Sequence, residues 1–304
     1  MSTPAFDVIV CGSLHLDIMV YSPRLPRPDE TVPGTRWGQQ CGGKGGNQAA
    51  MSARAGARTA MIGRIGADDF GTRLVGNLKA AGVDASAVLV DPTHGSGMSA
   101  AIVLDDGDYG AVIVSGANLL IPPDSLERQW RELGGARALV LQNEIPEAVN
   151  IAAAKVARDA GAIVILNAAP ARATPAELLD RVDVLIVNRV EAEMFSGTKV
   201  ADREGAMDAL PKLAKAARDV VVTLGGGGLV VQAASEAPLW IAPKPVKVVS
   251  THGAGDCFVG TLAARMAKGD ALLQAADFAN IVAANFVGRV EGEGTETGSQ
   301  VIES

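Results

Sequence analysis

The feature that most constrains this fold is the alternation of short apolar runs with helical stretches. Apolar or β-branched runs stand at 8–11, 138–141, 163–166, 184–187 and 220–223. Between two of them, residues 148–160 have the period of an amphipathic helix that ends at Gly161. Strands that are apolar on both faces and separated by helices are typical of a mostly parallel sheet covered on both sides. We therefore predict an α/β fold.

Two stretches break this alternation and predict a second, smaller sheet. Residues 15–41 carry a proline-rich turn between β-like pieces, and residues 98–121 contain a hairpin pattern. The hairpin turn at 105–108 is acidic, which could indicate a metal loop, but Asp-Gly between β-like runs is typical of a turn. The acidic, glycine-rich run at 291–299 predicts a loop or a tail.

Composition excludes several classes of partner. The 304 residues are 48% hydrophobic and 20% charged, with a formal net charge of −7. This is a globular composition without a basic patch, so we expect neither nucleic acid nor a membrane as a partner. The three cysteines lack paired spacing, which favours a reducing compartment. With neither a signal peptide nor a membrane-length apolar run, a cytoplasmic protein is expected.

Polar residues follow the predicted strands where a ligand would bind. Glu144, Asn167, Asn188 and Gly225 each come shortly after an apolar run. Ligands of open parallel sheets bind outside the carboxyl ends of the strands. The sequence therefore predicts a binding site at this edge.

The strongest local motif is a small-residue turn, 251–255, that leads into a helix with Asp256 in its first turn. Free backbone N–H groups at a helix N-terminus bind anions, and small side chains let an anion approach them. A carboxylate beside an anion site suits phosphoryl transfer, in which it accepts the proton of the attacking hydroxyl. The alternative is that Asp256 only caps the helix.

A second glycine-rich run, 42–47, also leads into a helix. It is not a Walker A loop, because its lysine comes too early and no Ser or Thr follows it. Lys44 and Asn47 offer donors that suit a polyhydroxyl substrate. A flexible glycine hinge is the alternative.

Three weaker features complete the candidate site. Asn188 and Glu191 could hold hydrated Mg²⁺ and phosphate, or form a helix N-cap and capping box. The run 223–228 could line a nucleotide or make a hairpin turn. Asp17 is expected beside His15 on one face of a strand, where a carboxylate could bind substrate hydroxyls or face solvent.

These motifs occur together in a known order, and the chain resembles the ribokinase family of carbohydrate kinases (the PfkB type) over essentially its whole length. The matching segments are 12–17, 42–47, 66–71, 188–193 and 253–256. Their joint match is specific, although each segment alone is not.

The resemblance implies a Rossmann-like core and a β-sheet lid. The core would comprise 1–13, 42–94 and 122–304, and the lid 14–41 and 95–121. ATP and Mg²⁺ would serve to phosphorylate a hydroxymethyl group of a small ribose-, fructose- or keto-sugar-acid-like substrate. The lid often packs against a second subunit in this family, so a homodimer is expected. Lid closure would exclude water.

The resemblance also implies residue roles. Asp256 would be the catalytic base, and Gly253, Ala254 and Gly255 the anion hole. The substrate positions would be His15, Asp17, Gly43, Lys44, Asn47, Glu144 and Asp256. The nucleotide positions would be Asn188, Glu191, Thr223, Gly225, Gly228 and Asn280, with Glu191 holding Mg²⁺ through water.

Two departures from the family pattern bear on substrate and cation. His15 stands where ribokinases commonly carry Asn, so a sugar other than ribose is an open alternative. Ser250 replaces an Asp that helps bind a monovalent cation, and 292–299 matches the family poorly. We therefore expect weak or absent potassium activation.

Two other functions remain as alternatives. A nucleoside or pseudouridine kinase would favour aromatic stacking on the base, yet the only aromatics near the lid are Tyr21, Trp37 and Tyr109. A non-catalytic sugar or nucleotide sensor would have no need of Asp256. The sugar kinase is therefore preferred.

Overall fold

The structure is a computed structural model that describes residues 3–104, 108–234, 236–288 and 300–303, the last segment as backbone only. Its strands are β1 (Phe6–Cys11), β2 (His15–Tyr21), β3 (Arg36–Gly42), β4 (Thr59–Gly66), β5 (Val83–Asp84), β6 (Val88–Asp91), β7 (Gly97–Val103), β8 (Tyr109–Val114), β9 (Ala136–Gln142), β10 (Ile163–Asn167), β11 (Val184–Asn188), β12 (Asp219–Thr223), β13 (Leu229–Gln232), β14 (Leu239–Ile241) and β15 (Gln300–Glu303).

The helices alternate with the strands of the larger sheet. They are α1 (Lys44–Arg54), α2 (Asp69–Ala80), α3 (Leu126–Glu132), α4 (Glu147–Asp159), α5 (Ala176–Leu179), α6 (Arg189–Ser196), α7 (Arg203–Leu213), α8 (Ala254–Ala267) and α9 (Leu272–Val287). Short 3₁₀ turns lie at Gly116–Leu120, Pro123–Ser125 and Gly225–Gly227.

The larger sheet has the order β14-β13-β12-β11-β10-β9-β1-β4-β5, with β6 also paired to β4. Pairing is parallel from β12 to β5, whereas β13 and β14 are antiparallel. One core cluster packs α3, α4 and α7 on one face, and a second packs α1, α8 and α9 on the other. Strand side chains such as Val8 and Ile9 therefore enter opposite cores, which explains the continuous apolar runs.

A separate sheet forms the lid, in the order β15-β3-β2-β7-β8. Strands β2 and β7 pair in parallel, and the other neighbours are antiparallel. The predicted α/β fold with a small β-sheet lid is confirmed. The backbone of β15 pairs with β3 at one edge of this sheet. The domain boundaries themselves stay predictions.

Two predicted segments fall outside the described residues, namely 105–107 of the hairpin turn and the run 291–299. The strands that flank the turn, β7 and β8, pair as the hairpin pattern indicates. In the part of the chain that the structure describes, none of the helices has both the length and the apolar character needed to cross a membrane.

Candidate active site

The candidate site lies where the carboxyl ends of β9 to β12 meet the first turns of α1 and α8. Asn167, Asn188 and Thr223 each end a strand, and Glu144 follows β9. Asn167, Asn188 and Thr223 line a cavity of about 70 Å³ together with Lys44, Glu191, Gly255 and Asp256. The edge predicted from the strand pattern is therefore the edge where these side chains meet.

The glycine run before α1 is required by close backbone approach. Gly43 precedes the helix with φ +84°, and a Cβ there would lie 2.7 Å from the backbone N of His15. A Cβ on Gly45 would lie 2.6 Å from the backbone N of Ser13. Glycine thus lets α1 begin against residues 12–15, which brings Lys44 and Asn47 to the edge of the sheet.

Asp256 is buried in the first turn of α8, with only 7% of its surface exposed. Its Oδ1 accepts a hydrogen bond from Gln48 Nε2 at 2.9 Å, and its Oδ2 accepts one from Asn47 Nδ2 at 3.2 Å. Burial raises the pKa of Asp256, while the charge of Lys44 and the two amide donors oppose that rise. The carboxylate is therefore held in a fixed orientation by α1.

Glu144 ties the start of α1 to the strand that enters the lid. Its Oε2 accepts hydrogen bonds from Ser13 Oγ at 2.5 Å and from the backbone N of Lys44 at 2.9 Å. His15 Nδ1 lies 3.8 Å from the same oxygen. His15 is 5% exposed as a residue, and its ring Nε2 is buried without a hydrogen-bond partner. An unpaired buried ring nitrogen is a group that a ligand can satisfy.

Asp17 lies two residues further along β2. Its Oδ1 accepts a hydrogen bond from Ser99 Oγ at 2.5 Å. Ser99 stands opposite it in register on β7. A Cβ on Gly42 would lie 2.1 Å from Asp17 Oδ2, so the glycine makes room for this oxygen. Asp17 is thus oriented by the lid sheet, with no hydrogen bond to Asp256 or Glu144 among the contacts of the described residues.

Asn188 and Glu191 form the capping box that begins α6. The Asn188 side chain accepts from the backbone N of Val190 and of Glu191, while Glu191 Oε2 accepts from the backbone N of Asn188 at 2.7 Å. Glu191 Oε1 accepts from Asn188 Nδ2 at 2.7 Å. Burial raises the pKa of Glu191, which is 3% exposed. The capping interpretation therefore holds, and the carboxylate still lines the cavity.

The nucleotide positions proposed from the resemblance are spread more widely. Strands β12 and β13 form a hairpin, and the turn between them holds Gly225 at φ +59° and Gly228 at φ +82°. Thr223 Oγ1 donates to the backbone of Val187. Asn280 on α9 donates to the carbonyl of Ala242 at 2.8 Å, and no hydrogen bond joins it to the cluster around Asp256 in the described residues.

The turn before α8 leaves open space for a ligand. Gly253 precedes the helix with φ +76°, a conformation that favours glycine. A Cβ on Gly255, in the first turn of α8, or on Gly226, in the turn between β12 and β13, would meet nothing within 4 Å, so internal packing does not require glycine at either position. Glycine there keeps the backbone accessible, which fits the approach of phosphate groups.

Sequence reasoning missed several supporting residues. Gln48 bonds to Asp256, Ser13 to Glu144 and Ser99 to Asp17. Asn118 holds the backbone of Leu14 through both of its amide atoms, at 2.9 and 2.8 Å. Gln48 directly follows Asn47 and Ser13 follows Gly12, so their place in the motifs was a usable signal. Nothing near Ser99 or Asn118 in the sequence indicates their partners.

No protein-only metal centre is present in the part of the chain that has described side chains. Groups of three or more His, Cys, Asp or Glu with metal-binding geometry are absent there. Mg²⁺ commonly uses one or two carboxylates with water and substrate phosphates. Glu191 on the cavity wall fits that sparse mode.

A parallel sheet, a separate lid and a buried carboxylate at a glycine-led helix N-terminus define a phosphotransferase of the sugar-kinase class. The chain belongs to the pfkB family of carbohydrate kinases, whose sequence profile matches residues 5–296. The predicted family is therefore confirmed, and the protein is an ATP-dependent carbohydrate kinase.

Relatives and solved structures agree with this assignment. A Mus musculus ribokinase is 34% identical over 262 residues, which is 85% of this chain and 81% of the relative. A Bacillus subtilis (strain 168) ribokinase is 35% identical over 276 residues, or 90% of each chain. The structure of Arabidopsis thaliana ribokinase complexed with ribose and ATP matches with a TM-score of 0.87 at 32% identity, over 96% of this chain and 94% of that one.

Proposed function

We propose that this chain phosphorylates a hydroxymethyl group of a ribose-like sugar, with Asp256 as the general base. The observation that carries the proposal is the buried Asp256 carboxylate, held by Asn47 and Gln48 beside the open N-terminus of α8. A raised pKa makes a carboxylate a stronger proton acceptor than an exposed aspartate. The Arabidopsis relative is described with ribose and ATP, which supports this substrate class.

The residues divide between binding and proton transfer. Asp17, His15 and Glu144 would bind the sugar hydroxyls, with Lys44 and Asn47 closing the side toward α1. Asp256 would accept the hydroxyl proton while that oxygen bonds to the terminal phosphorus of ATP and the bond to ADP breaks. Backbone N–H groups of Gly253, Ala254 and Gly255 would stabilise the charge on the transferring group, with the Ala254 N–H first leaving the carbonyl of Thr251, to which it donates at 3.2 Å.

ATP would supply the phosphoryl group. The glycines with accessible backbone, Gly255 and Gly226, would let the phosphates of ATP approach the main chain. Gly225, Gly228, Thr223 and Asn280 would line the nucleotide. Glu191 would hold Mg²⁺ through water, and the ion would offset the negative charge of the ATP phosphates. The expected lack of strong potassium activation stays a prediction, because 292–299 lies outside the described residues. A cytoplasmic location also stays a prediction.

The test is ADP release with Mg-ATP across pentoses, ketohexoses, sugar acids and nucleosides. We expect turnover on a ribose-like sugar, and we expect Asp256→Asn to lower kcat by about 10²–10⁴-fold. Asp219→Asn is a matched control, since Asp219 is also buried but lies at the opposite end of β12. It should retain turnover.

Three results would count against the proposal. Equal rates for Asp256→Asn and the wild type would remove Asp256 as the base. Turnover on nucleosides alone would favour a nucleoside kinase. Tight sugar binding without turnover on any compound would favour a sensor.

We also propose that two copies pair through the lid. Edge strand β8 exposes Val112, Ile113 and Val114 at 68%, 62% and 52%. Adjacent residues of a strand face opposite sides of the sheet, so β8 exposes apolar side chains on both faces. An edge strand of this kind is a typical surface for pairing with another chain. Sedimentation should give a dimer for the wild type and a monomer for Val112→Asp combined with Ile113→Lys. A wild-type monomer at tens of micromolar would contradict this proposal.

A further inference from the structure

Gln48 is a fully buried amide between two elements of the active site. It lies on α1 with 0% of its surface exposed. Its Nε2 donates to Asp256 Oδ1 at 2.9 Å and to Asn167 Oδ1 at 3.2 Å. One amide nitrogen therefore bridges the first turn of α8 and the carboxyl end of β10.

The orientation of this amide is determined by its partners. Both neighbours of Nε2 are acceptor oxygens, so a flipped amide would place Gln48 Oε1 against two oxygens. Asn167 Nδ2 faces the carbonyl of Ile186 on β11 at 3.5 Å, an orientation that leaves Asn167 Oδ1 toward Gln48. Gln48 Oε1 is buried and has no hydrogen-bond partner. The amide therefore acts as a donor: one N–H of Nε2 donates to Asn167 Oδ1 and the other donates to Asp256 Oδ1.

We propose that Gln48 is a positioning residue that fixes the plane of the Asp256 carboxylate and keeps it ready to accept a proton. The inference rests on the proposed role of Asp256 as the base. Asn47 donates to the other carboxylate oxygen. The two adjacent residues of α1 therefore hydrogen-bond to different oxygens of Asp256. A carboxylate held at both oxygens presents its remaining lone pairs in one direction, which general-base catalysis requires.

The charged groups around Asp256 determine the sign of the expected pH effect. Lys44 on α1 stabilises the ionised carboxylate, and Glu144 after β9 opposes it. Glu191 on α6 lines the same cavity. Burial raises the pKa of Asp256, and the Gln48 donor partly offsets that rise. Removing the donor should raise this pKa further, so the protonated, inactive form should persist to higher pH.

The variant that tests this is Gln48→Met, which keeps the length of the side chain and removes the donor. Gln129→Met is the matched control, because Gln129 is 3% exposed and donates at 3.0 Å to Ala87, away from the site. The first readout is a ¹³C NMR titration of the Asp256 carboxyl carbon, assigned through Asp256→Asn. The second is the pH dependence of kcat, with KM for sugar and ATP.

We expect the Asp256 titration in Gln48→Met to move up by about one pH unit. At pH values below this titration, kcat of Gln48→Met should be about tenfold lower than kcat of the wild type. Both KM values should stay within about threefold of the wild-type values. Gln129→Met should leave the titration and the pH profile unchanged.

The outcomes separate this inference from the proposed function. An unshifted titration in Gln48→Met overturns the inference, even if kcat falls, because the fall would then reflect packing. A wild type without turnover on any sugar refutes the proposed function. The NMR titration still decides the role of Gln48 in that case.

Discussion

Glu191 has two possible roles, and substitution can separate them. The structure shows a capping-box carboxylate that accepts from the backbone N and the Nδ2 of Asn188, each at 2.7 Å. The proposed function adds a water-mediated contact to Mg²⁺. Glu191→Gln keeps an oxygen for the backbone N–H but removes the charge, whereas Glu191→Ala removes both roles.

The stability effects follow from these two hydrogen bonds. Glu191→Ala leaves the backbone N–H of Asn188, an exposed residue, without its protein acceptor, which should cost about 1–2 kcal/mol of unfolding free energy. Glu191→Gln keeps that bond but turns an NH₂ group toward Asn188 Nδ2, at a cost of about 1 kcal/mol. Burial raises the pKa of Glu191 in the folded protein. The unfolding free energy of the protein therefore decreases as pH rises through that pKa and the carboxyl group becomes ionised. The neutral Gln escapes this loss, and its cost should be smallest at pH values above the raised pKa.

Urea unfolding and the Mg²⁺ dependence of ADP release measure the two roles separately. If Glu191 orders Mg²⁺-bound water, Glu191→Gln should raise the Mg²⁺ concentration for half-maximal rate by about 10-fold or more. Wild-type Mg²⁺ dependence in Glu191→Gln would refute the metal role. A Glu191→Ala variant as stable as the wild type would refute the capping argument.

Other predictions concern the proposed sugar-binding residues and the proposed base. Gly97→Ala would place a Cβ 2.2 Å from Asn118 Nδ2 and 2.5 Å from His15 Cδ2. Urea unfolding should show that the unfolding free energy decreases by about 1–3 kcal/mol. The control Gly76→Ala, whose Cβ would meet nothing within 4 Å, should show no decrease. The acid limb of kcat/KM should lie above the ordinary Asp pKa of about 3.9, because burial raises the pKa of Asp256; a limb at or below that value would contradict the assignment. His15→Asn should change the ratio of kcat/KM between two sugars by about tenfold or more at unchanged KM for ATP, and an unchanged ratio would show that His15 does not read the substrate.

The sequence predicted the sheet well because its strands are apolar on both faces. Runs such as 163–166 and 184–187 lie fully inside β10 and β11, and short continuous apolar segments between helical stretches are typical of strands buried on both faces. The site residues at the ends of these strands followed from topology. Asn188 could be placed at this edge before its contacts were known.

Contacts that join distant segments were beyond sequence reasoning. Ser99 meets Asp17 because β2 and β7 pair in parallel, a register that neither strand indicates alone. The pairing of β15 with β3 likewise joins two segments that lie far apart in the sequence. The two readings of Glu191 were left open because a capping box and a metal site use the same residue types at the same spacing.

The passage from β1 to β2 has a consequence for substrate affinity. Only Gly12, Ser13 and Leu14 separate a central strand of the core from the lid strand that carries His15 and Asp17. Glu144 and Asp256 stay with the core, so any rotation of the lid about 12–14 would divide the proposed sugar-binding groups into two halves. The measured Kd for sugar would then equal the intrinsic Kd divided by the fraction of molecules in which the lid and core groups lie together. A substitution in the linker could weaken sugar binding without touching any group that contacts the sugar.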